Sequence, residues 1–234
     1  MTTDSTDSTD SRTPDPEARG VRLTLVLLAL TVVSGLIDAV SFLGLGHVFT
    51  ANMTGNVVVL GFAAAGAAGF SIPHTAISLL GFLAGATAGG RVAARCGGGS
   101  RRTWTRVTLA AEAVLVGASA VVAFAVPGRT GTTYALIALT AFAMGLRNAT
   151  VRKLGVPDLT TTVLTMTLTA LASESPLGSN TEQRRAPRRI AAVLAMMVGA
   201  MLGAWLAIHH NLWAPLLIAA LASGVLAVVA SGRE

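Results

Sequence analysis

Apolar residues run in long blocks along the chain, and polar residues gather between them. From Val21 to Leu45, Ile72 to Ala93, Thr108 to Val126, Thr132 to about Arg147, Ile190 to Ile208 and Leu212 to Ala230, charged side chains are nearly absent. Most of these blocks approach the roughly 20 residues that a helix needs to cross about 30 Å of hydrocarbon. Two further apolar segments, Met53–Gly69 and Leu159–Ala172, are shorter. The first is rich in Gly and Ala and follows the polar cluster Thr50, Asn52, Thr54, Asn56; the second is studded with threonine. Broken backbone at bilayer depth survives only under a cover of protein or around a wet cavity. The pattern therefore predicts an all-α, polytopic membrane protein with six crossing helices and two re-entrant or broken ones.

Charge selects between six crossings and eight. Basic residues cluster at Arg91, Arg95, Arg101, Arg102 and Arg106, at Arg147, Arg152 and Lys153, and at Arg184, Arg185, Arg188 and Arg189. Cytoplasmic loops carry such an excess. If every apolar segment crossed, the first two clusters would fall outside. If Met53–Gly69 and Leu159–Ala172 return to the side they left, all three clusters and both termini are cytoplasmic. The net charge of +6 then reflects topology rather than a nucleic-acid partner. The composition agrees: 53% hydrophobic, 12% charged and a mean hydropathy of +0.67, against about 25% charged in soluble domains.

Residues 1–20, with the run STDSTDSTD, Pro14 and Pro16, bury too little apolar surface to fold and read as a disordered cytoplasmic tail. They lack the pattern of a secretory signal. Beyond the tail, the halves 21–126 and 132–231 echo each other. Gly35-Leu36-Ile37-Asp38-Ala39 aligns with Gly145-Leu146-Arg147-Asn148-Ala149, and Thr50 to Thr54 with Thr161 to Thr165. Gly81 and Gly85 align with Gly199 and Gly203. With six crossings the halves are inserted in opposite senses, an inverted repeat of the transporter type. Small residues at every fourth position let backbones approach closely in lipid, and the same faces suit a homo-oligomer.

At these residues the chain also resembles a known family. GLIDAVSFLGLGHVFTANMTGN, with the later GLRNA and TTTVLT, is similar to the YoaK-like family of bacterial inner-membrane proteins (domain of unknown function 1275). The resemblance spans about Val21 to Ala230. It implies a multi-pass membrane protein of unassigned biochemistry, and Met166 departs from the small residue expected after the threonine.

Candidate chemistry concentrates on few positions. Asp38 lies inside a span, where an ionised carboxylate costs about 2.5–3.5 kcal/mol and marks an ion or proton path. Its alternative role is an anchor paired with a neighbouring helix, with Arg147 the candidate partner; Arg147 can equally reach to the cytoplasmic headgroups. Thr50, Asn52, Thr54 and Asn56, with Thr161, Thr162 and Thr165 opposite, offer neutral donors and acceptors for a small polar or anionic solute near the midplane, as does Asn148. A helix beginning near Thr54 would turn its free amides toward an anion, whereas capping is the plain structural role for Thr and Asn. His47 borders the break and titrates near neutral pH. Glu112 reads as interfacial, and Trp104, Trp205 and Trp213 as interface anchors. The lone Cys96, and His74, His209 and His210, show no metal-ligand spacing. No cofactor motif is present, and enzyme signatures are missing.

Three functions fit this set. One is a transporter or channel. Another is a non-transporting membrane scaffold or sensor. The third, an intramembrane enzyme, needs Asp38 and His47 to meet as an acid–base pair.

Overall fold

The computed structural model describes residues 16–95, 101–154, 164–175 and 186–229, with side-chain burial given from residue 24. Among the described residues there are eight α-helices and no strand. They are α1 (Pro16–Gly44), α2 (Met53–Ala64), α3 (Ile72–Arg95), α4 (Arg101–Ala125), α5 (Thr130–Leu154), α6 (Leu164–Ser173), α7 (Ala186–His209) and α8 (Trp213–Val229). Five contain stretches long and apolar enough to cross a membrane: Thr24–Gly44, Ile72–Arg95, Thr103–Ala125, Thr130–Leu154 and Ala186–His209. The chain is a polytopic helical membrane protein. The 17 residues of α8 reach about 25 Å at 1.5 Å per residue, slightly short of a full crossing. The expected span at Thr132–Arg147 extends further, through to Leu154.

Glycines set the helix pairing. On α3, Gly81, Gly85 and Gly89 face the carbonyl oxygens of Ala138, Phe142 and Leu146 on α5 in ascending order, so α3 and α5 run parallel. On α7, Gly199 and Gly203 face the carbonyls of Val32 and Leu36, so α1 and α7 are parallel too. The reverse faces match as well: Gly35 lies on Met196 and Ala200, while Gly145 lies on Phe82 and Ala86. A methyl at Gly85 or Gly199 would overlap the facing carbonyl oxygen, and one at Gly89 would stand 2.9 Å from it. Only glycine permits this approach.

The equivalence is thus Gly85 and Gly89 with Gly199 and Gly203, one turn later than the sequence alignment of Gly81 and Gly85. These glycines, whose spacing suits internal packing as well as a homo-oligomer, pack against α1 and α5 within the chain. Contacts between other helices repeat in the same way. α2 packs on α3 as α6 packs on α7, and α4 meets α5 as α8 meets α1.

The remaining directions follow from named contacts. Glu112, Gly117 and Phe124 of α4 meet Ser223, Ala220 and Trp213 of α8 in descending order, so these helices are antiparallel. α4 and α5 form an antiparallel hairpin, with Thr132 bonded to Val126 O at the turn and Glu112 paired to Arg147 further in. Gly44 of α1 meets Leu212 just before α8, while Val26 and Leu27 share a buried cluster with Ala227. Hence α1 and α8 are antiparallel, α1 and α4 parallel, and α3 runs against α1. By the same steps α5 runs against α7. Each short helix therefore joins two antiparallel neighbours.

The two short helices do not meet. α2 lies on the outside of α3, burying only Asn56 and Val59, and α6 lies on α7, burying only Thr167. Among the described residues they make no contact with each other. The expected meeting of the two short helices is therefore not seen among the described residues; Thr161 and Thr162 of the second break lie outside them. The physical reason is direction: each short helix hugs the N-terminal half of an antiparallel partner, which puts the two at opposite ends of the bundle.

Candidate functional site

The turn between α1 and α2 is built around Asp38, which is 5% exposed. Its Oδ1 accepts hydrogen bonds from the amides of Thr50 (3.0 Å) and Ala51 (2.7 Å). Those amides have left α1 and not yet entered α2, so the carboxylate satisfies backbone that a helix would otherwise serve. Asn56 completes the fold-back. Its Oδ1 accepts from Phe49 N (2.8 Å), and its Nδ2 donates to Phe49 O (2.6 Å) and Ser78 Oγ (2.9 Å). Ser78 Oγ donates to the same Phe49 carbonyl at 2.6 Å. Asn52 is the N-cap of α2, accepting from Gly55 N. The capping role holds for Asn52, and Asn56 is occupied with backbone rather than open to a solute.

Thr54 and Asn52 are exposed, whereas Thr50 is fully buried. His47, at φ 60°, is exposed; its ring Nδ1 lies 3.0 Å from Gly69 O and packs near Phe42 and Phe70. Those partners differ from those of Asp38, so the acid–base pair is not assembled. In the second half, Asn148 is partly buried and Thr165 exposed. Thr161, Thr162, Asp158 and Cys96 lie outside the described residues.

A second polar centre forms deeper in the bundle. Arg147 of α5 and Glu112 of α4 are both 0% exposed, with Nη1 3.2 Å from Oε1. Nη1 also donates to Leu30 O (3.2 Å), and Nη2 to Ser34 Oγ (2.7 Å) and Met144 Sδ (2.8 Å). Ser223 of α8 donates to Glu112 Oε1 at 2.7 Å. Four helices thus converge on one ion pair.

Two expectations change here. Glu112 is not interfacial: it stands about 17 Å along α4 from Arg101 at 1.5 Å per residue. Arg147 reaches neither the headgroups nor Asp38; Glu112 and the Leu30–Ser34 turn of α1 hold it. Trp104 is likewise buried, while Trp205 is half exposed.

The two centres share one face of α1. Thr31, Ser34, Asp38 and Ser41 are all buried and follow at intervals of three, four and three, the spacing of one helical stripe. Ser34 touches Arg147, and Asp38 stands one turn further on. Four buried polar atoms along this line have no hydrogen-bond partner among the described residues: Asp38 Oδ2, Thr50 Oγ1, Glu112 Oε2 and Arg147 Nε. Ser34 and Ser223 are the site residues that sequence reasoning missed. The α1 stripe was the signal available for Ser34, and nothing comparable marks Ser223.

A bundle of this kind, with charges buried between apolar crossings, defines a multi-pass helical membrane protein. Comparison with known proteins agrees. The family model described as "Protein of unknown function (DUF1275)" matches residues 26–229, so the chain belongs to that family. The UPF0700 transmembrane protein YoaK of Bacillus subtilis (strain 168) is 32% identical over 210 residues, covering 83% of this chain and 88% of its own length. No solved structure matches.

Proposed function

We propose that the protein is a transporter or channel of the bacterial plasma membrane for a small polar or anionic solute. Its path follows the buried stripe from Thr50 and Asp38 through Ser34 to Arg147 and Glu112. One observation carries the reading: Asp38, Thr50, Glu112 and Arg147 each keep a buried polar atom without a hydrogen-bond partner among the described residues. Each such atom costs about 1–3 kcal/mol if nothing meets it, and ionisable residues in the membrane interior mark solute and proton routes. One of the two interior carboxylates on this path, Asp38 or Glu112, carries a proton with the solute.

Architecture supports this reading. Helices of 12 and 10 residues span about 18 and 15 Å, and each joins antiparallel neighbours, as re-entrant segments do. With six crossings, the described residues Arg91, Arg95, Arg106, Arg147, Arg152, Lys153, Arg188 and Arg189 all belong to the same half of the bundle. Arg129 alone stands at the opposite end. By the positive-inside rule that asymmetry supports cytoplasmic termini. The recurring glycine contacts of α1–α7 and α3–α5 favour an inverted duplication of 21–126 and 132–231. The partners are then the bilayer and a small solute, with no nucleic acid, no cofactor and no catalysis.

A scaffold or sensor is the second reading. It is favoured by Asp38 Oδ1 and Asn56, both engaged in anchoring the α1–α2 turn. Purified protein in liposomes decides between them. At least one of labelled chloride, nitrate, formate and glycine, followed by filtration with a pH-sensitive dye in the lumen, should enter the liposomes, with a pH dependence changed in Asp38→Asn or Glu112→Gln. No uptake of any of them, with correctly inserted protein, rejects transport in favour of the scaffold.

A further inference from the structure

Arg147 offers more than its ion pair uses. A guanidinium presents five N–H donors in a planar fork that matches a carboxylate or another flat oxyanion. Nη1 is committed to Glu112 and Leu30 O. The other edge is different: Nε has no partner, and Nη2 is met by the Ser34 hydroxyl and the Met144 thioether. Thioether sulfur is a weak acceptor. Nε is therefore the one unpartnered donor of the fork, and the weak Met144 contact beside it on Nη2 is the one an incoming oxygen would displace.

Charge then constrains what can bind there. The ionisable groups facing this point, among the described residues, are Asp38 on α1, Glu112 on α4 and Arg147 on α5; α8 contributes Ser223. With all three ionised, the interior carries one negative charge in excess. An anion arriving alone would double that excess in a low-dielectric site, where an uncompensated charge costs several kcal/mol. If one proton arrives with it and binds Glu112 Oε2, the second unpartnered atom of the pair, the interior charge is unchanged. The oxygen facing Arg147 and Ser223 remains an acceptor, and no bond other than the new O–H forms or breaks.

We infer that the Nε–Nη2 edge of Arg147 is the binding site for a small planar oxyanion, and that each anion bound brings one proton from solvent onto Glu112. This rests on the transport reading, and it names the solute class and the coupling residue.

The test is binding rather than flux. Nitrate and formate are titrated calorimetrically into the detergent-solubilised full chain near neutral pH, in two buffers of different ionisation heat. Neither probe changes its own protonation there, so the difference counts protons taken up by the protein. The wild type should take up about one proton per anion, with affinity rising close to tenfold per unit of falling pH. Glu112→Gln should still bind, with no proton uptake and a flat pH profile, while Arg147→Lys, lacking the fork, should bind at least tenfold more weakly.

Binding by the wild type without proton uptake overturns the proposal. So does uptake that persists in Glu112→Gln and vanishes in Asp38→Asn. A wild type that binds neither probe yet takes up another solute into liposomes refutes the Arg147 site and leaves transport standing; absence of both binding and uptake removes both.

Discussion

Replacing the Glu112–Arg147 pair by apolar residues separates its contribution to stability from the part in transport proposed for it. Glu112→Leu strands a guanidinium whose remaining partners are Leu30 O, Ser34 and Met144, none of them charged. Arg147→Met strands a carboxylate that keeps only Ser223. Removing one partner of a buried pair costs about 3–5 kcal/mol, whereas exchanging both for apolar residues of similar volume is commonly neutral or stabilising by about 1–4 kcal/mol. Both side chains are fully buried, so the upper part of the range applies to each single variant. The double variant Glu112→Leu/Arg147→Met should lie within about 2 kcal/mol of wild type. The resulting coupling, on the order of 6–12 kcal/mol, far exceeds the 0.5–3 kcal/mol common for neighbouring residues. Reversible unfolding of the four proteins in mixed micelles, followed by circular dichroism, gives the cycle. Additive single effects below about 1 kcal/mol each would refute the buried pair, since only water-exposed charges behave that way. A stable double variant with undiminished solute uptake into liposomes would instead show that the pair lies outside the proposed transport path.

Four further outcomes follow. Gly85→Ala and Gly199→Ala should destabilise by similar amounts, about 1–3 kcal/mol each from overpacking, while Gly61→Ala, which meets nothing within 4 Å, should change stability by less than about 0.5 kcal/mol; thermal unfolding in detergent compares them. Asp38→Ala should expose the Thr50 and Ala51 amides to faster hydrogen exchange, and Asp38→Asn, which keeps an acceptor oxygen, should largely restore protection. Asn56→Ala removes three hydrogen bonds to Phe49 and Ser78 and should loosen the same turn, again read by exchange at residues 49–51. In a Cys96→Ser background, Ala67→Cys, Gly128→Cys and Asn211→Cys should react with an impermeant maleimide on intact spheroplasts, and Arg152→Cys only after permeabilisation; Ala67→Cys shielded like Arg152→Cys would mean that α2 crosses the membrane.

Helix positions were legible because charge is excluded from the spans. Where Arg91 to Arg106 interrupts the apolar pattern, α3 ends and α4 begins. The break before α2 was legible for the same reason, since Thr50, Asn52, Thr54 and Asn56 cannot continue an apolar span. Their employment was not. Asn56 as a solute ligand and Asn56 as a clasp on Phe49 need the same residue; only the fold-back that brings Phe49 within reach distinguishes them. Glu112 was misread for a related reason. Its distance from the nearest arginine in sequence, Arg106, suggested an interface, but its partner lies 35 residues ahead on α5 (147 against 112). Counter-charges within a bundle are set by helix pairing, which hydropathy does not encode.

The glycine stripe shows how pairing could have been approached from sequence and where that stops. Gly81, Gly85 and Gly89 lie four apart, so on α3 alone a register shifted by one turn looks the same. The ambiguity ends at the partner helix: Gly145 must meet Phe82 and Ala86 as Gly35 meets Met196 and Ala200. Those two contacts fix Phe82 against Met196, and therefore Gly85 against Gly199. By the same register Asp38 answers to Asn148 and Ile37 to Arg147, so the acid and the base occupy non-equivalent positions in otherwise similar halves. In a scaffold both groups would act as anchors, as Asp38 Oδ1 does for the α1–α2 turn. On the transport reading proposed above, the base receives a charged solute and the acids hold the balancing proton, and the two halves divide those groups between them.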